Sequence, residues 1–246
     1  MIKKGKIIFS IILTVAFVLL GYCCYMIYQS YSEYKQIDDT YNEVIDECVN
    51  TNEDTVDEVK TEAFSLDWNK LLSINSDIVA WIRIPNTNIN YPVIQGNSNT
   101  EYLHHNIYNR YSKGGCPFVD SAITSPFNNL NTIIYGHNLD NGSMFSNIRK
   151  YKNKEYAKTH NIIEIYLPNK TVSKYYVFAF GEVNATDYDV YNIFIDDLSK
   201  YYEMTKKYNI LDNDENVSGT QPIITLSTCT NKDKNRRYVL QAYLIE

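Results

Sequence analysis

With 246 residues, 44 % of them hydrophobic, the chain can bury one sizeable core with accessory segments but not two full domains. A net charge of −6 and the lack of any basic face exclude nucleic acid as an expected partner, since nothing would neutralise phosphates. The five cysteines include no C-x-x-C pair and no His and Cys cluster at metal spacing, so neither a zinc site nor a cofactor is expected.

Lys3, Lys4 and Lys6 precede an uncharged stretch from Ile7 to Tyr28, "IIFSIILTVAFVLLGYCCYMIY". At about 1.5 Å rise per residue it would cover roughly 33 Å as a helix, enough to cross a bilayer. A cleavable signal peptide is the rival, but "YCCYMIYQSY" offers no small-x-small cleavage site. Lysines before the span and acid after it orient the amino terminus to the cytoplasm and the bulk of the chain outside the membrane. Tyr34, Ile37, Tyr41, Val44, Ile45 and Cys48 then recur at three- and four-residue steps, the spacing of an amphipathic helix. Residues 50 to 60, "NTNEDTVDEVK", read as a linker or the frayed end of that helix. The expected organisation is a cytoplasmic tail (1–6), a membrane anchor (7–28), an acidic helical stalk or linker (29–63) and a globular domain (64–246).

From Phe64 onward the texture changes to short β-type runs separated by Asn, Gly, Ser and Pro. Eight strands are expected, at 78–84, 89–95, 116–120, 132–137, 162–167, 174–183, 222–229 and 237–245. Their even spacing suggests a closed or nearly closed barrel, a mainly β fold. Helical patterns interrupt it at "SMFSNIRKY", after Gly142, and at "DDLSKYYEMTKKYNI", from Asp196.

Alternation along "PIITLSTC" puts Thr225, Ser227 and Cys229 on one face. A thiol among hydroxyls is unusual for a packing cysteine, although burial in a core is the alternative. Cys23 and Cys24 end the apolar span, which leaves Cys48, Cys116 and Cys229 in the exported part. That number is odd, so at least one is unpaired within the chain. Cys48 and Cys116 are expected to be reduced and partly buried.

If the last two strands form an antiparallel hairpin with Cys229 facing Arg237, their Cα atoms lie roughly 4.5 to 5.5 Å apart. A guanidinium there would favour the thiolate and stabilise a developing oxyanion; an ordinary turn arginine is the alternative. Among four histidines, His104 and His105 are adjacent and point opposite ways in an extended segment, and His160 follows a lysine-rich helical stretch. His137 ends an apolar strand directly after Gly136, where its near-neutral pKa suits proton transfer in a cleft.

"IIYGHN", "TLSTC" and "RRYVL", in that order on three expected strands, resemble the His, Cys and Arg motifs of sortases, the membrane-anchored cysteine transpeptidases of Gram-positive bacteria. The resemblance covers about residues 64 to 246 and includes "WIRIPNTNINYPVIQGNSNTEYLHHN", similar to the family's opening strands. The helix expected at 196–210, ahead of the cysteine strand, together with the amino-terminal helix, is similar to class B. The resemblance implies an eight-stranded sortase-type β-barrel with Cys229 as nucleophile, His137 as general acid and base, and Arg237, rather than Arg236, as the oxyanion-stabilising group. It implies substrate contacts at Ser227, with Thr228 and Asn138 as further candidates.

The implied activity cleaves a sorting motif after threonine in exported proteins, through a thioacyl enzyme, and joins the product to an amine of a lipid-linked peptidoglycan precursor. An asparagine-proline or a PxTG-type motif, and a glycine bridge or diaminopimelate acceptor, all stay open. Two other classes share the anchor: a cysteine hydrolase of cell-wall peptides, although papain-like enzymes place Cys before His, and a catalytically silent scaffold module.

Overall fold

The computed structural model describes residues 2–56, 59–211, 219–230 and 232–246. The chain divides into two compact units, Met1–Glu43 and Val44–Glu246. From Ile2 onward the first is helical, part of α1 (Ile2–Cys48). Its segment from Gly5 is the one described helix long and apolar enough to cross a membrane, and its aliphatic side chains from Ile7 to Ile27 are exposed.

The second unit opens with the end of α1, where Val44 and Cys48 are buried. An antiparallel hairpin follows, β1 (Val49–Val56) and β2 (Val59–Leu66), in the register Val49↔Leu66 to Val56↔Val59. This corrects the expectation of a helical stalk or linker through residue 63. The acidic composition concealed a β-competent run in which Val and Thr recur, and Glu53 stands directly opposite Glu62. The Asp67 N–H then donates to the Cys48 carbonyl at 2.8 Å. The Asp67 carboxylate caps α2 (Trp68–Ile74) by accepting from the Lys70 N–H at 3.1 Å.

All eight expected strands are present: β3 (Ile78–Arg83), β4 (Asn90–Ile94), β5 (Phe118–Val119), β6 (Asn131–Tyr135), β7 (Ile162–Tyr166), β8 (Val172–Asn184), β9 (Ile223–Cys229) and β10 (Arg236–Leu244). They close into a barrel in the order β10-β8-β7-β3-β4-β5-β6-β9, with β9 returning to β10. Closure removes the exposed edges that an open sheet would present. Two pairings, β4 with β5 and β6 with β9, are parallel. The core includes the fully buried Trp81, Ile82, Ile133, Ile165, Leu226 and Leu240.

A 3₁₀ helix (Phe145–Lys152) and α3 (Lys154–Thr159) lie between β6 and β7. Between β8 and β9 runs α4 (Leu198–Thr205), capped by the Asp197 side chain. The expected helix at 196–210 is therefore shorter, giving way to a turn after Thr205.

β9 is buried from Ile223 to Thr228 and exposed only at Cys229. Its hydroxyl-bearing face is accounted for by a buried polar network. Thr225 Oγ1 donates to Asn131 Oδ1 at 2.9 Å, and Gln241 Nε2 donates to Tyr201 Oη at 2.8 Å and Thr225 Oγ1 at 3.1 Å. Tyr208 Oη donates to Gln241 Oε1 at 2.6 Å, and Tyr201 Oη donates to the Val190 carbonyl at 2.7 Å. These bonds tie β6, β9 and β10 to α4 and to the loop after β8. Satisfied buried polar groups of this kind specify one arrangement, because each broken bond leaves a costly orphan.

Candidate active site

Cys229 is the last residue of β9, and its Cα partner on β10 is Arg237. The sequence-based hairpin register is the one observed, because apolar residues on both strands fix which side chains turn inward. The connecting turn is closed by the Arg236 N–H donating to the Asp233 carbonyl (3.0 Å) and by Thr230 Oγ1 donating to the same carbonyl (2.8 Å). Arg237 Nη1 donates to the carbonyls of Lys234 and Arg236, at 2.7 and 3.0 Å, which leaves Nε and Nη2 without a partner among the described residues. Arg236 is committed elsewhere. Its guanidinium binds the Glu182 carboxylate (3.3 Å), the Glu182 carbonyl (2.8 Å) and Asn184 Oδ1 (3.0 Å) on β8.

His137 follows β6 by two residues. The Gly136 N–H continues the parallel pairing by donating to the Ser227 carbonyl at 3.1 Å, and the His137 carbonyl accepts from the Phe145 N–H at 2.8 Å. A Cβ on Gly136 would stand 2.6 Å from the buried Phe145 ring, so any side chain here would have to displace that ring. The preceding Met144 lies at φ 55°, ψ −130°, a region costing about 1–3 kcal/mol for a residue with a side chain. It is fully buried, and its N–H donates to Tyr91 Oη at 3.0 Å.

The His137 ring binds the Leu103 carbonyl through Nε2 at 2.7 Å, and the His104 ring is 6.0 Å away. Burial depresses the His137 pKa below the usual 6.5; the Leu103 bond opposes this and nearby His104 adds to it. The imidazole is therefore mainly neutral at pH 7.

Around these groups lies a cleft of about 230 Å³, lined by His137, Ser227, Thr228, Cys229, Arg237, Asn99, Leu103, Phe118, Tyr135, Gly136, Ala185 and Tyr191. Ser227 Oγ is 2.8 Å from Tyr191 Oη, whose pKa is raised by burial. Thr228 Oγ1 is buried without a hydrogen-bond partner among the described residues. Asn138 Nδ2 donates to the Cys229 carbonyl at 2.9 Å, tying the histidine segment to the strand that carries the thiol. A thiol, an imidazole and a guanidinium around one small cleft is an arrangement suited to acyl transfer through a thioester.

The sortase domain model matches residues 82–245, the span that contains all three groups. This chain belongs to the sortase family. Among curated relatives, sortase B of Listeria monocytogenes is 37 % identical over 179 residues, covering 71 % of this chain and 72 % of the relative. Sortase B of Staphylococcus aureus is 30 % identical, covering 99 % of this chain and 98 % of the relative. The crystal structure of Clostridium perfringens sortase B superimposes with a TM-score of 0.67 at 30 % identity, covering 72 % of this chain and 99 % of that one. The protein is most like class B sortases, and its enzyme class is cysteine transpeptidase.

Within this sortase, Cys48 and Cys116 are separate buried thiols. Burial raises the Cys48 pKa, and Cys116 Sγ lies 3.6 Å from the Pro92 carbonyl oxygen. Among the described residues, no group of three His, Cys, Asp or Glu side chains is placed to hold a metal ion. His105 Nδ1 binds the Glu101 carbonyl, and the His160 ring stacks on Tyr156 with centroids 3.9 Å apart. Sequence reasoning missed Leu103, Asn99, Tyr135 and Tyr191 as cleft residues. Leu103 meets His137 through a main-chain atom, and Tyr191 is one of 23 tyrosines.

Proposed function

We propose that this sortase cleaves a sorting motif after threonine in exported proteins and joins the new carboxyl terminus to an amine of a lipid-linked peptidoglycan precursor. The observation that carries the reading is the direct cross-strand pairing of Cys229 with Arg237 on a cleft that also holds His137. Cys229 Sγ, as thiolate, attacks the threonine carbonyl carbon. Arg237 donates to the oxygen as it gains charge, an interaction stronger in the transition state than in the substrate. His137 as imidazolium gives its proton to the leaving amine, and the C–N bond breaks to leave a thioester on Cys229. The acceptor amine then attacks that thioester, loses its proton to His137, and releases Cys229 as the new amide forms.

A depressed His137 pKa favours the neutral thiol and imidazole over the reactive thiolate and imidazolium, which predicts slow turnover with peptides. Ser227 and Thr228, beside the nucleophile on the cleft wall, are suited to contact the threonine of the motif. Asn138 is better suited to holding the Cys229 backbone than to meeting substrate.

Anchorage follows from the same reading. The span from Ile7 to Tyr28 crosses the membrane with its lysines inside, and the domain from Val44 onward works outside, near a lipid-linked acceptor. The test is to mix the full chain, in detergent, with sorting-motif peptides and an amine acceptor. Loss of ligated product in Cys229→Ala supports transfer, and product formation by that variant contradicts it.

A further inference from the structure

His137 is held at one ring atom by the main chain. Because a carbonyl only accepts, the 2.7 Å bond to Leu103 requires the proton on Nε2 and leaves the lone pair of the neutral ring on Nδ1.

Leu103 lies between β4 and β5, and its carbonyl is fixed from two sides. The adjacent Tyr102 is 1 % exposed; its hydroxyl donates to Asp77 Oδ2 at 2.7 Å and accepts from Asn75 Nδ2 at 3.0 Å. The chain then returns across this segment at Gly115 and Cys116, where the Cys116 N–H donates to the Tyr102 carbonyl at 3.0 Å. Gly115 has a φ of +55°, and a Cβ on it would stand 2.5 Å from the Tyr102 oxygen and 2.6 Å from the Leu103 oxygen. An L side chain would meet an unfavourable backbone region and push on the carbonyl that holds the imidazole.

The geometry points to the Leu103 carbonyl as the orienting partner of His137, standing where a serine-protease triad has its carboxylate, and to Gly115 as the positioning residue that keeps it there. This rests on the reading of His137 as acid and base. A carboxylate in that place both fixes the tautomer and stabilises the imidazolium; a neutral carbonyl does the first and less of the second. Proton traffic then runs through Nδ1: the thiol proton moves to Nδ1, passes to the leaving amine, and is replaced from the acceptor amine, while Nε2–H stays on Leu103. The other titratable or charged groups around the ring are His104, on the Leu103 segment, Tyr135 on β6, Cys229 on β9, Arg237 on β10 and Tyr191 on the loop after β8.

The test is imidazole nitrogen NMR on the full chain in lipid nanodiscs with labelled histidine, the His137 signal being assigned by its loss in His137→Gln. The expected wild-type result is a protonated, slowly exchanging Nε2 and an unprotonated Nδ1. Gly115→Ala should move the His137 midpoint to lower pH, because the Leu103 bond favours the charged ring. It should also lower kcat by about 10²-fold with little change in KM. An Nδ1–H tautomer or a freely exchanging Nε2 proton in the wild type overturns the proposal. So does a folded Gly115→Ala variant with unchanged tautomer, midpoint and kcat. If that variant does not fold, the wild-type spectrum alone decides. Acylation by peptide is a separate readout, so a held Nε2–H in a protein that never acylates would count against the function and not against this bond.

Discussion

Two arginines stand side by side at the start of β10, and only their partners tell them apart. Arg236 is occupied by Glu182 and Asn184, whereas Arg237 faces Cys229 over the cleft. Arg237→Ala and Arg237→Lys should each lower kcat/KM by about 10²-fold or more, since an ammonium cannot reproduce the guanidinium fork. Arg236→Ala should cost less than tenfold, in steady-state assays of the same peptide. The depressed His137 pKa sets a second expectation. Protonating the ring while the thiol stays protonated abolishes the reactive pair, and that step occurs below the usual histidine value, so the acid limb of kcat/KM should lie below pH 6.5. The Cys229 and Arg237 pairing was legible in the sequence because a short hairpin and apolar alternation fix its register. Leu103 was not, because no side-chain pattern marks a residue that acts through its carbonyl.

The barrel strands were legible as apolar runs between turn residues, but their order was not. The parallel pairings of β4 with β5 and β6 with β9 join segments far apart in sequence, which local alternation does not encode. The hairpin at Val49–Leu66 was hidden by its acid content, and α4 stops at Thr205 although lysines continue beyond it. Between β6 and the 3₁₀ helix, Gly136 is the element-scale constraint. Gly136→Ala should destabilise the protein by about 1–3 kcal/mol in denaturant titrations, because the added methyl must displace the buried Phe145 ring. In the polar network between β10 and α4, Gln241→Leu should cost on the order of 1–3 kcal/mol, because the Tyr208 hydroxyl loses its acceptor.

At the scale of the molecule, an apolar helix and a barrel with an exposed thiol make a simple topological expectation. Cys229 is exposed while Cys48 and Cys116 are buried. With Cys23 and Cys24, which are also exposed, replaced by serine, a membrane-impermeant maleimide applied to intact cells should therefore label the protein, and adding Cys229→Ala should abolish the label. Labelling that appears only after lysis would put the barrel on the cytoplasmic side. The role of Cys229 as carrier of the acyl group between donor and acceptor can be read by intact-protein mass spectrometry of the full chain mixed with a panel of sorting-motif peptides. The expected result is a mass gain equal to the amino-terminal part of one peptide, ending at threonine, present in the wild type and absent in Cys229→Ala. An adduct that persists in Cys229→Ala, or cleavage of a motif peptide with no dependence on that thiol, would contradict it.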